Sequence, residues 1–287
     1  MALGMIADTN LALTATLTGG NCAGALPLNN LKTDSRFVGA PARFLGVGTL
    51  ANTTFEVELA NVRSVNLVYL MFTTLSLGAR WRISVISPGG SFATPDYQSA
   101  WLPAYGALND SWDMAFEEEN WFTGQLPSAE IDLCPRNVFA TLPSVLAAKI
   151  RIEINDAANA AGELDIGGLF IASTFSPAVN YERGHELGLD ARGVTDEAPS
   201  GRFFTEVRRA RRVLSVNYDM LTTIEARRWF DAGARAQDGR TVIFIPNADD
   251  EPGRIREAFP AVMSMPKPRF IYATKNPLAL TFREILA

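Results

Sequence analysis

The chain has one histidine, His185, in the run Arg183-Gly184-His185-Glu186. A structural zinc site needs four N or S donors and a catalytic one three, so a single imidazole with no second His or Cys near it does not make one. A Ser–His–Asp site would need a nucleophile motif such as G-x-S-x-G, which is missing. His185 therefore reads as a loop histidine. Glu117, Glu118 and Glu119 follow Asp113. Paired carboxylates serve glycoside hydrolysis, and clustered oxygens hold calcium. Consecutive glutamates point in different directions, however, and no D-x-D-x-D-G spacing is present, so the cluster reads as a solvated acidic loop. Asp156 and Asn159 sit in a turn where short polar side chains cap their own backbone, with a structural calcium as the alternative. Gly19-Gly20 and Gly89-Gly90 do not open helices at phosphate-loop spacing. Cys22 and Cys134 lie far apart without motif spacing and are expected to be reduced thiols, a disulfide being the alternative. The residues point to a protein that is not an enzyme and uses no cofactor and no metal.

Two clusters suit binding better than catalysis. Tyr97, Trp101, Tyr105, Trp112, Phe116, Trp121 and Phe122 crowd a polar, turn-rich stretch. Aromatic faces stack on sugars and also anchor protein interfaces. Interior packing, a subunit interface and glycan contact are thus three readings of Tyr97, Trp101, Tyr105, Trp112 and Trp121. The one basic run is Arg208-Arg209-Ala210-Arg211-Arg212. It lacks the aromatics that interleave with basic residues in nucleic-acid binders, so nucleic acid is not the expected partner. Arg208, Arg209, Arg211 and Arg212 are candidates for charge contacts between subunits.

The elements that position these residues are mostly strands. In Thr53 to Leu59, Phe55, Val57 and Leu59 alternate with Glu56 and Glu58, the period of a half-buried strand. Val65 to Phe72 is almost continuously apolar and reads as a central strand. Ala42 to Val47, Trp81 to Ile86, Ala148 to Ile154 and Glu163 to Ser173 complete a β-sandwich, with a long insertion at about 91–143. Residues 1–40 read as an irregular arm. Pro177 to Gly201 reads as a linker and arm. Beyond it, strands are predicted at Phe203 to Val207, Val213 to Tyr218, Thr241 to Ile245, Ala261 to Met265, Phe270 to Thr274 and Leu278 to Ile285. Thr222 and Glu225 form a capping box that starts the one main helix, with Ala226, Trp229, Phe230, Gly233 and Ala234 as its apolar face. The expected fold is mainly β: a sandwich over 1–176 and a small α+β domain over 177–287. Net charge changes across that boundary, with 9 Lys and Arg against 16 Asp and Glu (−7) before it and 17 against 15 (+2) after it. No apolar run approaches a membrane span, and Met1 to Thr16 lacks the pattern of a secretory signal, so synthesis in a cytoplasm is expected.

The segment Lys149 to Asp156, then Asn159, then Leu164-Asp165-Ile166-Gly167-Gly168-Leu169-Phe170-Ile171, resembles the closing strands of galactose-binding-like (discoidin-type) jelly rolls. Leu26-Pro27-Leu28-Asn29-Asn30-Leu31 resembles the arm before their first core strand. Together with a second domain that holds a capped helix and a V-x-F-I-P strand, the layout resembles distal-tail and baseplate proteins of tailed bacteriophages, whose second module is tail-tube-like. The resemblance implies a virion structural protein of the phage tail, made in the host cytoplasm. Its partners would be copies of itself in a ring, of six by the symmetry of such tails, and other tail or baseplate proteins. The alternative is a carbohydrate-binding module that recognises a cell-surface glycan through the aromatic-rich loop.

Overall fold

The computed structural model describes residues 4–33, 40–107, 121–125, 136–182, 184–197, 200–206, 208–237, 239–271 and 275–286. The protein is mainly β. Its first sheet runs, in spatial order, β3 (Ala42–Leu45), β9 (Glu163–Ala172), β4 (Thr54–Thr73), β8 (Val138–Asn155), β5 (Arg80–Ile86) and β6 (Tyr97–Gln98), all antiparallel. β2 (Thr16–Gly19) adds to the first half of β4, and β7 (Leu102–Pro103) to β5. The two runs 53–59 and 65–72 are thus one strand of 20 residues. Its pairing with β8 shifts register between Glu58 and Arg63 and again between Val65 and Leu67. At that corner residues 60–63 and 143–144 face outward. Such bulges bend long strands and let them pass from one layer of a sandwich to the other. The core between the layers holds Phe44, Phe55, Val57, Val68, Leu70, Trp81, Ile150, Ile152, Leu169 and Ile171.

The second sheet runs β1 (Met5–Ala7), β14 (Val242–Ile245), β15 (Phe259–Met263), β16 (Asn276–Glu284), β13 (Arg211–Leu221) and β10 (Glu186–Asp190). One face carries α1 (Thr223–Ala236), which buries Ala226, Trp229 and Ala236 against Leu214, Tyr218, Phe244 and Phe282. β14 is buried on both faces. Val242 and Phe244 face the α1 side, while Ile243 and Ile245 meet Leu67, Tyr69 and Met71 of β4 and Phe170 and Ala172 of β9. A third apolar layer therefore joins the two sheets. α2 (Glu251–Glu257) closes its edge: the Tyr69 hydroxyl donates to the Ala258 carbonyl at 3.1 Å, and Arg254 donates to the Phe139 carbonyl at 3.2 Å.

The structure revises several expectations. Met5–Ala7, read as part of the first half's arm, is an edge strand of the second sheet, antiparallel to Val242–Ile245. Leu28–Leu31 is a 3-10 turn whose two leucines are buried, not an extended arm. Residues 177–201 are more than a linker, since β10 pairs with β13, and β11 (Val194–Glu197) forms a hairpin with β12 (Phe203–Glu206). Phe270 and Ile271 lie in irregular chain rather than a strand, and residues 272–274 fall outside the described residues. The capping box at Thr222 and Glu225 is present, with both reciprocal hydrogen bonds. The buried stripe is Ala226, Trp229, Ala232, Gly233 and Ala236; Phe230 is 59% exposed and Ala234 is exposed. At 3.6 residues per turn these buried positions share one side of the cylinder, and Phe230 and Ala234 fall beyond its edge. Asn159 caps its own turn as expected, its Oδ1 accepting from the Ala161 amide at 3.0 Å, whereas the Asp156 side chain accepts from no backbone N–H of that turn. Its carboxylate accepts from the Ser76 amide at 3.1 Å and from the Ser76 hydroxyl, tying the turn to the chain before β5.

Two expectations follow. Phe170 is fully buried in the layer shared by both sheets. Phe170→Ala should cost about 3–5 kcal/mol and lower one calorimetric transition that covers both sheets; two transitions, with only one shifted, would contradict a shared core. At Gly233 an added Cβ would stand 2.3 Å from Pro266 Cδ. Gly233→Leu should therefore lower thermal stability by about 1–3 kcal/mol, and an unchanged melt would mean that α1 does not seat against Pro266.

Candidate interaction surfaces

The aromatic insertion is fastened to the first sheet by its early residues. Tyr97 lies in β6 opposite Val85 and packs, half-buried, against the sandwich core. Trp101 is half-buried, with the Arg82 guanidinium 4.8 Å from its ring centroid. Arg82 is itself held by Glu153 through two hydrogen bonds of 2.8 and 2.9 Å. Tyr105 is buried, its hydroxyl 3.3 Å from Thr73 Oγ1, and burial pushes its pKa up to about 12. Further along, Gln125 Nε2 donates to the Tyr105 carbonyl at 2.9 Å. Trp121 is half-buried and meets Phe122 edge to face, with centroids 4.8 Å apart. Phe122 is 92% exposed. Trp112, Phe116, Asp113 and Glu117 to Glu119 lie outside the described residues, as does Cys134. Cys22 is a free, half-buried thiol whose pKa burial raises.

The basic run does not act as one patch. Period two in β13 sends Arg211 outward, where its Nε donates to Asp190 at 2.8 Å, and sends Arg212 inward. Arg212 is buried, so it is corrected from a candidate contact between subunits to an internal strut. Its Nη2 pairs with Glu284 at 3.0 Å, its Nη1 donates to the carbonyls of Ile255 and Arg256, and its guanidinium lies 4.5 Å from the Phe259 ring. It thereby satisfies carbonyls at the end of α2, groups that a helix terminus leaves open. Arg208 is exposed and paired with Glu206 at 2.8 Å, and Arg209 is exposed. His185 Nε2 lies 3.3 Å from Glu257 and edge-on to Tyr181, also as part of the packing between α2 and the chain entering β10. Among the described residues no group of three or more His, Cys, Asp or Glu is placed to hold a metal.

Two features go beyond the motifs of the sequence. One is the β11–β12 hairpin, of which only the second strand was expected; among the described residues it pairs with no other strand and is exposed along both arms. Phe203 (69% exposed) and Phe204 (64% exposed) point to opposite faces of the ribbon, so neither face is covered. Each Phe stands opposite an acid: Phe204 faces Asp196, and Phe203 faces Glu197. The other is a cleft of about 900 Å³ between α1 and the corner of the sandwich. Arg63, Arg227, Arg228, Arg235, Asp8 and Asp231 give it its charge. Arg235 is matched by Asp8 at 2.8 Å, and Arg228 lies 4.5 Å from the Phe175 ring. Among the described residues the side chains of Arg63 and Arg227 have no ion-pair or hydrogen-bond partner. The cleft leaves no motif in the sequence because Arg63 lies far from the α1 arginines along the chain.

No family model and no curated protein matches the chain. Solved structures that share part of its shape include a fucose-binding module of Streptococcus pneumoniae, 11% identical, covering 57% of this chain and 94% of that one at a TM-score of 0.36. A family 32 carbohydrate-binding module of NanJ from Clostridium perfringens, solved with galactose, is 14% identical and covers 57% of this chain and 98% of that one, with a TM-score of 0.38. Chitosan-binding module 1 from a Paenibacillus chitosanase/glucanase is 15% identical, covering 57% and 99% at 0.35. At such scores the likeness carries no argument about what this chain binds.

The buried phenol gives a pH expectation. Tyr105 is neutral when folded, with a pKa of about 12 against an unfolded value near 10. Its contribution is complete below about pH 10 and is lost as pH rises toward 12. Denaturant melts should lose stability across that window, and Tyr105→Phe should flatten part of the loss. An equal loss in the variant would show that the Tyr105 phenol is not what titrates.

Proposed function

We propose that the chain is a non-catalytic structural protein that assembles through protein–protein contacts, as a ring subunit in the tail tip or baseplate of a tailed bacteriophage. The observation that carries the assembly reading is the β11–β12 hairpin. A two-stranded ribbon alone is marginally stable in water, and this one presents a phenylalanine on each face, both mostly in water. Elsewhere on the surface, Leu189 of β10 and, on α1, Ile224 and Phe230 are also exposed. Exposed apolar surface of the hairpin's kind marks interaction sites. The tail setting rests on the sequence resemblance alone, and the virion location goes with it.

A second reading is favoured by a separate feature. Phe122 and Trp121 form an edge-to-face pair with the Phe122 ring open to solvent, the kind of free face on which a sugar stacks. On this reading the insertion would recognise a surface glycan.

Sedimentation and negative-stain imaging of the purified chain test the first reading: closed rings or discrete oligomers are expected, and a chain that stays monomeric across its soluble concentration range would overturn it. Glycan-array binding that vanishes in Phe122→Ala and Trp121→Ala, with melting temperature unchanged, would move the second reading to first place.

A further inference from the structure

We infer that the arginine cleft beside α1 is the receptor for the β11–β12 hairpin of a second copy of this chain, which makes the contact head-to-tail. This rests on the assembly reading above and names the two surfaces that would meet. The cleft carries a net positive charge in a chain whose net charge is −5. With Arg235 matched by Asp8, three guanidiniums remain against the single carboxylate of Asp231. Arg63 comes from the corner of β4, and Arg227 and Arg228 from the first turns of α1, so an occupant would bridge the two sheets' territories. Ile224, 79% exposed, supplies an apolar wall.

The hairpin has the complementary chemistry. Its two faces repeat one arrangement, an acid directly across from a phenylalanine: Asp196 with Phe204, and Glu197 with Phe203. Among the described residues neither Asp196 nor Glu197 has an ion-pair partner. Whichever face enters, a carboxylate can meet Arg63 or Arg227 while the adjacent ring lies on Ile224. Guanidinium–carboxylate pairs fix register as well as adding attraction, because their geometry is planar and bidentate. The occupant is set by this match of charge and apolar surface within one chain. The hairpin and the cleft are different surfaces, so the contact is heterologous, the kind that closes into a ring when the rotation allows.

The test uses the full chain. Arg63→Glu with Arg227→Glu, and separately Asp196→Lys with Glu197→Lys, should each raise the concentration needed for assembly by about tenfold or more. Mixing the two charge-reversed proteins, or combining all four changes in one chain, should restore it. Thermal melts of both variants should match the parent, because none of the four side chains makes an ion pair within the chain among the described residues. Assembly retained in both variants would overturn this inference and leave the assembly reading standing, as would loss in each variant without rescue in the combination. A parent chain that never assembles would overturn both.

Discussion

Burial of the second half of β4 and of β9 on both faces is the constraint on which the rest depends. Val68, Leu70, Leu169 and Ile171 fill the sandwich, while Leu67, Tyr69, Met71, Phe170 and Ala172 need cover on the other side. Leaving five such side chains in water would forfeit about 1.5–3 kcal/mol for each large one, so something must lie across them. Ile243 and Ile245 do so, which obliges β14 to be apolar on both faces as well. Met5–Ala7 then extends the cover by crossing to pair with β14, and Phe175 bridges back to Ile6 as the chain leaves the sandwich. The two sheets are thus tied at both crossings of the chain, by backbone hydrogen bonds as well as by side chains.

The polar groups at that seam follow from the same constraint. Tyr69 brings a hydroxyl into an apolar layer and finds the Ala258 carbonyl. Burial holds its phenol far above the usual tyrosine range. Arg212 enters from β13 and meets Glu284 and the last carbonyls of α2. Removing one partner of such a buried pair leaves an uncompensated charge, which is the costly outcome, whereas the intact pair adds little net stability. The pair therefore fixes where α2 sits more than how strongly the sheet folds. α2 in turn sets Arg254 over the Phe139 ring, at 4.4 Å, against the sandwich.

Much of the fold was legible in the sequence because burial leaves a period. Phe55, Val57 and Leu59 alternate since one face of the first half of β4 is buried, and the almost continuously apolar run from Val65 to Phe72 marked a strand covered twice. What covers it could not be read, because Met5–Ala7 is too short to show a period. The capping box fixed the start of α1, yet the helix face was misjudged: Phe230 is large and apolar, but it lies just off the stripe that meets the sheet. The first strand of the hairpin was missed for the opposite reason, although Phe203 to Val207 marked the second. With both faces in water, Val194–Glu197 carries no apolar alternation, and acids beside Gly and Pro read as linker. The Arg208 to Arg212 run looked uniform, although β13 sends Arg211 out and Arg212 in. For the aromatic insertion, the early residues that pack on β5 carried the signal; Trp112 lies outside the described residues.

The hairpin's composition fits a segment that must remain unpaired until a matched surface arrives. A bare ribbon with two phenylalanines and free backbone edges is a template for indiscriminate strand addition. Placing Asp196 and Glu197 directly across from the two rings means that any apolar surface able to cover a ring must also take in a carboxylate, and a carboxylate buried without a cation is costly. Wrong partners are penalised by that unpaired charge, the usual form that specificity takes when attraction alone is not selective. Only a surface offering cations beside apolar groups escapes the penalty. On the proposed assembly, the cleft with Arg63, Arg227 and Ile224 is such a surface, so the acids that keep the free chain apart are the groups that select its neighbour.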